Sequence, residues 1–209
     1  DVFGASGDAG GVHVFGLKAA IDIFFQEVAN DRLTLNALGG DDTVDATSLE
    51  ADGIQLTMNG GLGNDRYFVD NNGDNVVEGA ALGSGTDTVY AAVNEWLQAN
   101  VENLTLLNTA AALLGNGNGL NNTIVGNANG NFLNGFDGND GIYGRDGHDR
   151  MSGGNGGDRL FGGNGIDRIV GEVLQLNRRD RQQPEIIVLG EFMHSLLDEI
   201  VQAENVPPS

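Results

Sequence analysis

The stretch from Gly117 to Val170 constrains the fold most, because it divides without a gap into six units of nine residues that each begin with glycine. The sixth place of the units holds Asn122, Asn131, Asp140, Asp149, Asp158 and Asp167. The eighth place holds Ile124, Leu133, Ile142, Met151, Leu160 and Ile169. An amphipathic helix would need apolar residues every three or four positions. One apolar residue per nine predicts short strands separated by glycine-rich turns and stacked as an all-β solenoid.

A disordered glycine-rich linker is the alternative interpretation of this stretch. Disorder requires neither a periodic large apolar residue nor a periodic Asp or Asn. Because the two patterns keep the same phase through all six units, they favour the solenoid over the linker.

The units resemble the nonapeptide G-G-x-G-x-D-x-U-x of the repeats-in-toxin (RTX) proteins. This resemblance implies a parallel β-roll in which two nonapeptides form one coil, so that turns two units apart stack at about 4.8 Å. Asp140 would then face Asp158, and Asp149 would face Asp167. Two carboxylates held so close repel each other unless a cation lies between them. The flexible oxygen coordination of calcium suits such a gap better than the strict octahedron of magnesium, and we expect Ca²⁺ as the cofactor.

We expect the calcium ligands to come from the last four units. The carboxylates of Asp140, Asp149, Asp158 and Asp167 are the main candidates. The expected set is completed by Gly135, Asp137, Gly144, Asp146, Gly153, Gly154, Gly156, Gly162, Gly163 and Gly165. Earlier in the chain, GGLGNDRYF from Gly60 also matches the nonapeptide, and its Asp65 is expected to bind calcium more weakly. Asn122 and Asn131 carry no charge, so their turns are expected to stack through side-chain hydrogen bonds or to bind calcium weakly.

Strand patterns outside the regular units predict one solenoid with four regions. These are irregular early coils over 1–59, degenerate RTX-like coils with longer loops over 60–116, the regular roll over 117–171, and a C-terminal cap over 172–209. The second region includes a partial nonapeptide, GSGTDTVY, which contains Asp87. Its expected core residues are Trp96, Leu97, Val101, Leu104 and Leu106. In the cap, residues 185–189 predict a strand, and the apolar stripe from Glu191 onward predicts a short amphipathic helix.

The composition narrows the partners and the compartment. The chain has 209 residues, a formal net charge of −20, 34 glycines and no cysteine. The acidity argues against nucleic-acid binding, which needs clustered Lys and Arg. No apolar run has membrane-spanning length, and Asp1 is not followed by the pattern of a secretory signal peptide. The RTX resemblance implies a secreted, extracellular protein with a C-terminal signal for the type I secretion machinery. We expect a monomer or a portion of a longer chain.

The sequence does not predict an enzyme, because it contains no G-x-S-x-G, no H-E-x-x-H and no cysteine nucleophile. Two alternatives to a calcium-binding module stay open. The chain could be the C-terminal accessory region of a larger secreted enzyme, such as the lipases, proteases and alginate epimerases that carry RTX repeats. It could also be a surface adhesion or ice-binding solenoid. The outward seventh places, from Thr123 to Arg168, are too varied for the regular threonine column that ice binding favours.

Overall fold

The structure, a computed structural model, describes residues 2–8, 11–15, 21–24, 32–49, 55–109, 111–171, 173–176 and 186–189. Within these ranges, all of the assigned secondary-structure elements are β-strands. The strands are β1 Val2–Asp8, β2 Gly11–Phe15, β3 Ile21–Phe24, β4 Arg32–Asn36, β5 Thr43–Leu49, β6 Gln55–Asn59, β7 Arg66–Val69, β8 Asn75–Val77, β9 Thr88–Ala91, β10 Glu95–Trp96, β11 Asn103–Leu106, β12 Leu114–Asn116, β13 Thr123–Val125, β14 Phe132–Asp137, β15 Gly141–Asp146, β16 Arg150–Asn155, β17 Asp158–Asn164, β18 Arg168–Gly171, β19 Val173–Leu176 and β20 Ile186–Leu189. The described part of the chain is therefore all-β, as predicted.

From β4 onward, successive strands alternate between two faces of a solenoid. The odd-numbered strands form one parallel face in the order β19-β17-β15-β13-β11-β9-β7-β5. The even-numbered strands form a three-stranded sheet, β4-β6-β8, and a six-stranded sheet, β10-β12-β14-β16-β18-β20. Each coil thus contributes one strand to each face, which confirms the predicted parallel β-solenoid.

The pairing register in the regular units follows the predicted coil of two nonapeptides. On one face, Leu133 lies opposite Met151, and Met151 lies opposite Ile169. On the other face, Ile142 pairs with Ile124 and with Leu160. Every one of these steps is eighteen residues, so turns two units apart stack on the same edge.

The core is a column of large apolar side chains inside the coils. All six eighth-place residues of the regular units are at most 2% exposed. In the earlier coils the column continues through Val44, Tyr67, Val89 and Leu104, which are paired in register. These residues are buried because side chains alternate along a strand, so that every second residue faces inward.

The prediction for Trp96 was wrong. Leu97, Val101, Leu104 and Leu106 are buried as expected, but Trp96 is 51% exposed. Trp96 ends β10, and its neighbour Leu97 takes the inward position. Adjacent residues of an extended chain point to opposite faces, so Trp96 points outward.

The two ends of the solenoid differ from its middle. β1 pairs in parallel with β5, and β2 lies antiparallel between β1 and β3 at the edge of the same sheet. At the other end, β20 pairs in parallel with β18, which confirms the strand predicted over 185–189. The predicted helix from Glu191 onward lies outside the described residues. Within those residues, no helix reaches the length and apolarity needed to cross a membrane.

Candidate metal centre

The four Asp side chains of the regular turns lie inside the roll. Asp140, Asp149, Asp158 and Asp167 are at most 2% exposed. Each lies two positions before an inward eighth-place residue, and alternation along the strand turns both residues to the interior. The last four nonapeptides therefore each place a carboxylate beside the apolar column.

One oxygen of each carboxylate joins two coils. The backbone N–H of Asp140 donates to Oδ1 of Asp158, and that of Asp149 donates to Oδ1 of Asp167, both at 2.9 Å. Asn122 and Asn131 donate in the same way to Asp140 and Asp149 at 2.7 Å. The stacking of Asp140 on Asp158 and of Asp149 on Asp167 is as predicted, and each contact is a charge-assisted hydrogen bond.

The early coils repeat this carboxylate ladder. The N–H of Asp42 donates to Oδ1 of Asp65, and the N–H of Asp65 donates to Oδ1 of Asp87, both at 2.8 Å. The N–H of Asp87 donates in turn to Oε2 of Glu102 at 2.8 Å. The irregular coils are thus joined by the same kind of backbone-to-carboxylate hydrogen bond as the regular coils.

The Asn turns satisfy their side chains completely within the protein. Oδ1 of Asn122 accepts the N–H of Asn118 at 2.8 Å, and its Nδ2 donates to the carbonyl oxygens of Val101 and Glu102. Asn131 accepts from the N–H of Asn127 at 2.8 Å in the same way. These turns make the side-chain hydrogen bonds expected of structural turns.

The Asp turns leave one carboxylate oxygen without a donor among the described residues. Oδ2 of Asp140, Asp149, Asp158 and Asp167 is buried and accepts no hydrogen bond. The second place of these turns has positive φ, for example 75° at Phe136, so the backbone departs from that of the Asn turns. A buried acceptor without a donor costs about 1–3 kcal/mol, and more when it is charged.

A second acceptor lies next to that oxygen. A β-carbon added at Gly135 would collide with Oδ2 of Asp140 and would lie 2.6 Å from the carbonyl oxygen of Gly153 in the next coil. Gly144 stands in the same relation to Asp149 and to the carbonyl oxygen of Gly162. A carboxylate oxygen and a backbone carbonyl oxygen thus converge beside Gly135 and beside Gly144. This donor set suits a hard cation, and the residues present fit calcium.

The carboxylates of Asp140 and Asp149 are difficult to ionise without a cation. Burial raises the pKa of Asp140 to about 6, and the neighbouring Asp158 adds to the rise while the hydrogen bond from Asn122 opposes it. Burial likewise raises the pKa of Asp149 to about 7, with further contributions from Asp167 and Asp146. A cation would remove this penalty, because an opposite charge favours the ionised form.

The other predicted ligands are two Asp residues and a set of glycines. Asp137 and Asp146 are exposed, and they accept hydrogen bonds from the amides of Asn155 and Asn164 at 2.7 Å. The structure thus places them on the exposed outer part of the turns.

The glycines predicted as ligands differ in what they do. Gly153 and Gly162 border Oδ2 of Asp158 and Asp167, where a β-carbon would collide. Gly154, Gly156, Gly163 and Gly165 have positive φ and lie against carbonyl oxygens of the preceding coil. The opening glycines therefore make room for the carboxylates, whereas the other four shape the turn.

An acidic group in the early coils was missed at the sequence level. Ligand atoms of Asp65, Glu78 and Asp87 all lie within 4.8 Å of one another, and this is the one group of three such residues found in the described part of the chain. The repeats around Asp65 and Asp87 were recognisable, but Glu78 was not. The available signal was its spacing, because Glu78 follows Gly60 by eighteen residues, the length of a regular coil.

Comparison with protein-family models, with curated proteins and with solved structures finds no match to this chain.

Proposed function

We propose that this chain is a calcium-binding β-roll module of the RTX type, and that its role is metal binding rather than catalysis. The observation that carries the proposal is the contrast between the two kinds of turn. Asn122 and Asn131 satisfy their side chains with protein donors, whereas the four turn Asp residues each keep a buried oxygen that accepts no hydrogen bond among the described residues. A carboxylate in that position is favourable only with a proton or a cation.

The arrangement of oxygens supports calcium over magnesium. The candidate ligands are carboxylate oxygens and backbone carbonyl oxygens of successive coils. Calcium accepts six to eight such ligands in flexible geometry, whereas magnesium requires a near-ideal octahedron and retains its waters. Calcium bound there would link each coil to the next.

The proposal includes a secreted, extracellular location, which the RTX resemblance implies. Extracellular calcium modules typically have Kd values of about 10⁻⁴–10⁻³ M, far above resting cytosolic calcium. A ligand that binds only the folded form stabilises it by mass action. The module therefore folds after export, where calcium is abundant.

Calorimetric titration of the full chain with Ca²⁺ tests the proposal. Asp149→Asn should weaken the affinity of the regular turns about tenfold or more, because ligand charge tunes such sites. Asp45→Asn is the matched control, since Asp45 lies on β5 outside the turns and accepts hydrogen bonds from Thr47. Equal affinities in Asp149→Asn and wild type, or no calcium binding at millimolar concentration, would contradict the proposal.

A further inference from the structure

Three carboxylates meet inside the early coils, away from the regular units. Asp65, Glu78 and Asp87 are 1%, 7% and 0% exposed, and their ligand atoms lie within 4.8 Å of one another. Asp65 and Asp87 occupy successive steps of the carboxylate ladder. Glu78 does not belong to that ladder and reaches the same place from another part of the turn.

The register explains how Glu78 enters the interior. Met58 pairs with Val76 and Asn59 with Val77, so Glu78 lies one coil beyond Gly60. A β-carbon at Gly60 would collide with Oδ2 of Asp65 and with the hydroxyl of Tyr67. Position 78 thus carries a long acidic side chain at the place where the preceding turn has its opening glycine.

One oxygen of each carboxylate is held by the protein. Oδ1 of Asp65 accepts the N–H of Asp42, and Oδ1 of Asp87 accepts the N–H of Asp65. Oε1 of Glu78 accepts the hydroxyl of Tyr67, a fully buried side chain. These bonds fix the orientation of all three carboxylates.

The second oxygen of each carboxylate accepts no hydrogen bond of normal geometry among the described residues, while the backbone N–H groups of Gly61 and Gly79 also act on the Glu78 carboxylate. These second oxygens are Oδ2 of Asp65, Oε2 of Glu78 and Oδ2 of Asp87, and all three are buried. The charged neighbours that act on Asp87 are Glu78, Glu102 and Asp65, all acidic. Three carboxylates this close cannot all be ionised unless a cation neutralises them.

We propose that Asp65, Glu78 and Asp87 bind one hard divalent cation in the interior of the early coils, with ligand atoms that lie within 4.8 Å of one another. Calcium is the ion to test first, because it accepts carboxylate oxygens in flexible geometry, whereas magnesium demands a near-ideal octahedron and retains its waters. The site goes beyond the proposed calcium binding by the regular turns, because it takes a ligand from an opening place that is glycine in all six regular units.

The test counts Ca²⁺ ions bound per full-length chain by calorimetry. Glu78→Gln keeps an acceptor for the Tyr67 hydroxyl but removes the charge, and it should lose one bound ion relative to wild type. The matched control is Glu95→Gln, because Glu95 is partly buried but lies outside the group of three. It should bind as many ions as wild type. An unchanged ion count in folded Glu78→Gln overturns the proposal.

A second measurement covers the case in which Glu78→Gln does not fold. Terbium replaces calcium as a probe, and its emission is excited through nearby phenol rings. Tyr67→Phe should reduce that emission while leaving the number of bound ions unchanged, because Tyr67 contacts a ligand without being one. Undiminished emission in Tyr67→Phe overturns the proposal.

The two proposals fail separately in these experiments. Loss of one ion in Glu78→Gln supports the interior site even if Asp149→Asn has no effect. Conversely, an effect of Asp149→Asn together with an unchanged ion count in folded Glu78→Gln overturns the interior site alone.

Discussion

The two oxygens of each turn Asp have different environments, and this difference separates the first two sixth places, which hold Asn, from the last four, which hold Asp. Oδ1 of Asp158 accepts the N–H of the preceding coil, a bond that stacks the coils without any metal. Oδ2 of Asp158 is buried without a donor among the described residues. An amide in place of this carboxylate offers no negative charge to a cation, which matches the hydrogen-bonded turns of Asn122 and Asn131.

The second place of the turns offers a test of backbone strain. Phe136 has φ 75° and is 44% exposed, whereas glycine occupies the second place in the stacked turn at Gly154. A left-handed conformation costs an L-residue about 1–2 kcal/mol. Phe136→Gly should therefore raise the free energy of unfolding by about 1 kcal/mol, measured by urea denaturation at saturating calcium.

Phe132→Gly provides the control for that substitution. Phe132 is also exposed, but it lies in β14 without positive φ, and its ring lies 5.4 Å from the guanidinium carbon of Arg150. Glycine there loses the ring contact and adds backbone entropy to the unfolded chain, so stability should fall by about 1 kcal/mol. A lower urea midpoint for Phe136→Gly as well would mean that left-handed strain does not limit this turn.

At the scale of the strand, one large apolar inward residue per nonapeptide determines the register. Ile142 of β15 pairs in register with Ile124 of β13 and with Leu160 of β17, and all three side chains are buried. A shift of one residue would exchange the inward and outward sides of the strand. The apolar residue at the eighth place therefore fixes the register of each strand against its neighbours.

Truncating a side chain of this apolar column should lower the stability of the fold substantially. Ile142→Ala should lower the free energy of unfolding by about 2–5 kcal/mol, because it removes buried methylenes and leaves a cavity between two coils. Thr123→Ala, on the exposed side of β13, should change it by less than about 0.5 kcal/mol. Urea denaturation at saturating calcium measures both, and similar values for the two variants would contradict the assignment of the inner column.

How much the sequence predicts depends on how strictly it repeats. Periodicity predicts the stacked strands and the inward position of Ile142, whereas the parallel coils and the eighteen-residue register are implied by the RTX resemblance. Periodicity fails at Trp96, where a two-residue strand carries no period from which to infer the inward side. It also fails at Glu78, because the contact with Tyr67 depends on three-dimensional stacking between two irregular coils.

At the scale of the whole molecule, the sequence repeat places carboxylates inside the solenoid, and their negative charge opposes folding. The chain has a net charge of −20, and many of its carboxylates are buried in the interior of the coils. Burial of ionised groups is unfavourable, and self-repulsion adds to that cost. Either protons or bound cations can relieve it, so the two should substitute for each other.

Because protons and cations can replace each other at these carboxylates, we expect opposite pH dependences of stability with and without calcium. The pKa of Asp140 is raised to about 6 and those of Asp87 and Asp149 to about 7, against about 3.9 for Asp in the unfolded chain. Between these limits the folded, metal-free protein binds more protons than the unfolded chain. Its stability is therefore greatest below about pH 4 and is lost as the pH rises through about 6–7.

The full chain in excess EDTA should accordingly show little β-sheet circular dichroism at pH 7.5 and should regain signal at pH 5.5. In millimolar calcium the trend should reverse, because protons compete with the cation for the same carboxylates and acidification weakens calcium binding. Asp140→Asn combined with Asp149→Asn is the control, and it should flatten the pH dependence in EDTA. If the wild-type chain in EDTA instead loses β-sheet signal on acidification from pH 7.5 to pH 5.5, the buried carboxylates do not control folding, and calcium is not the switch that completes it.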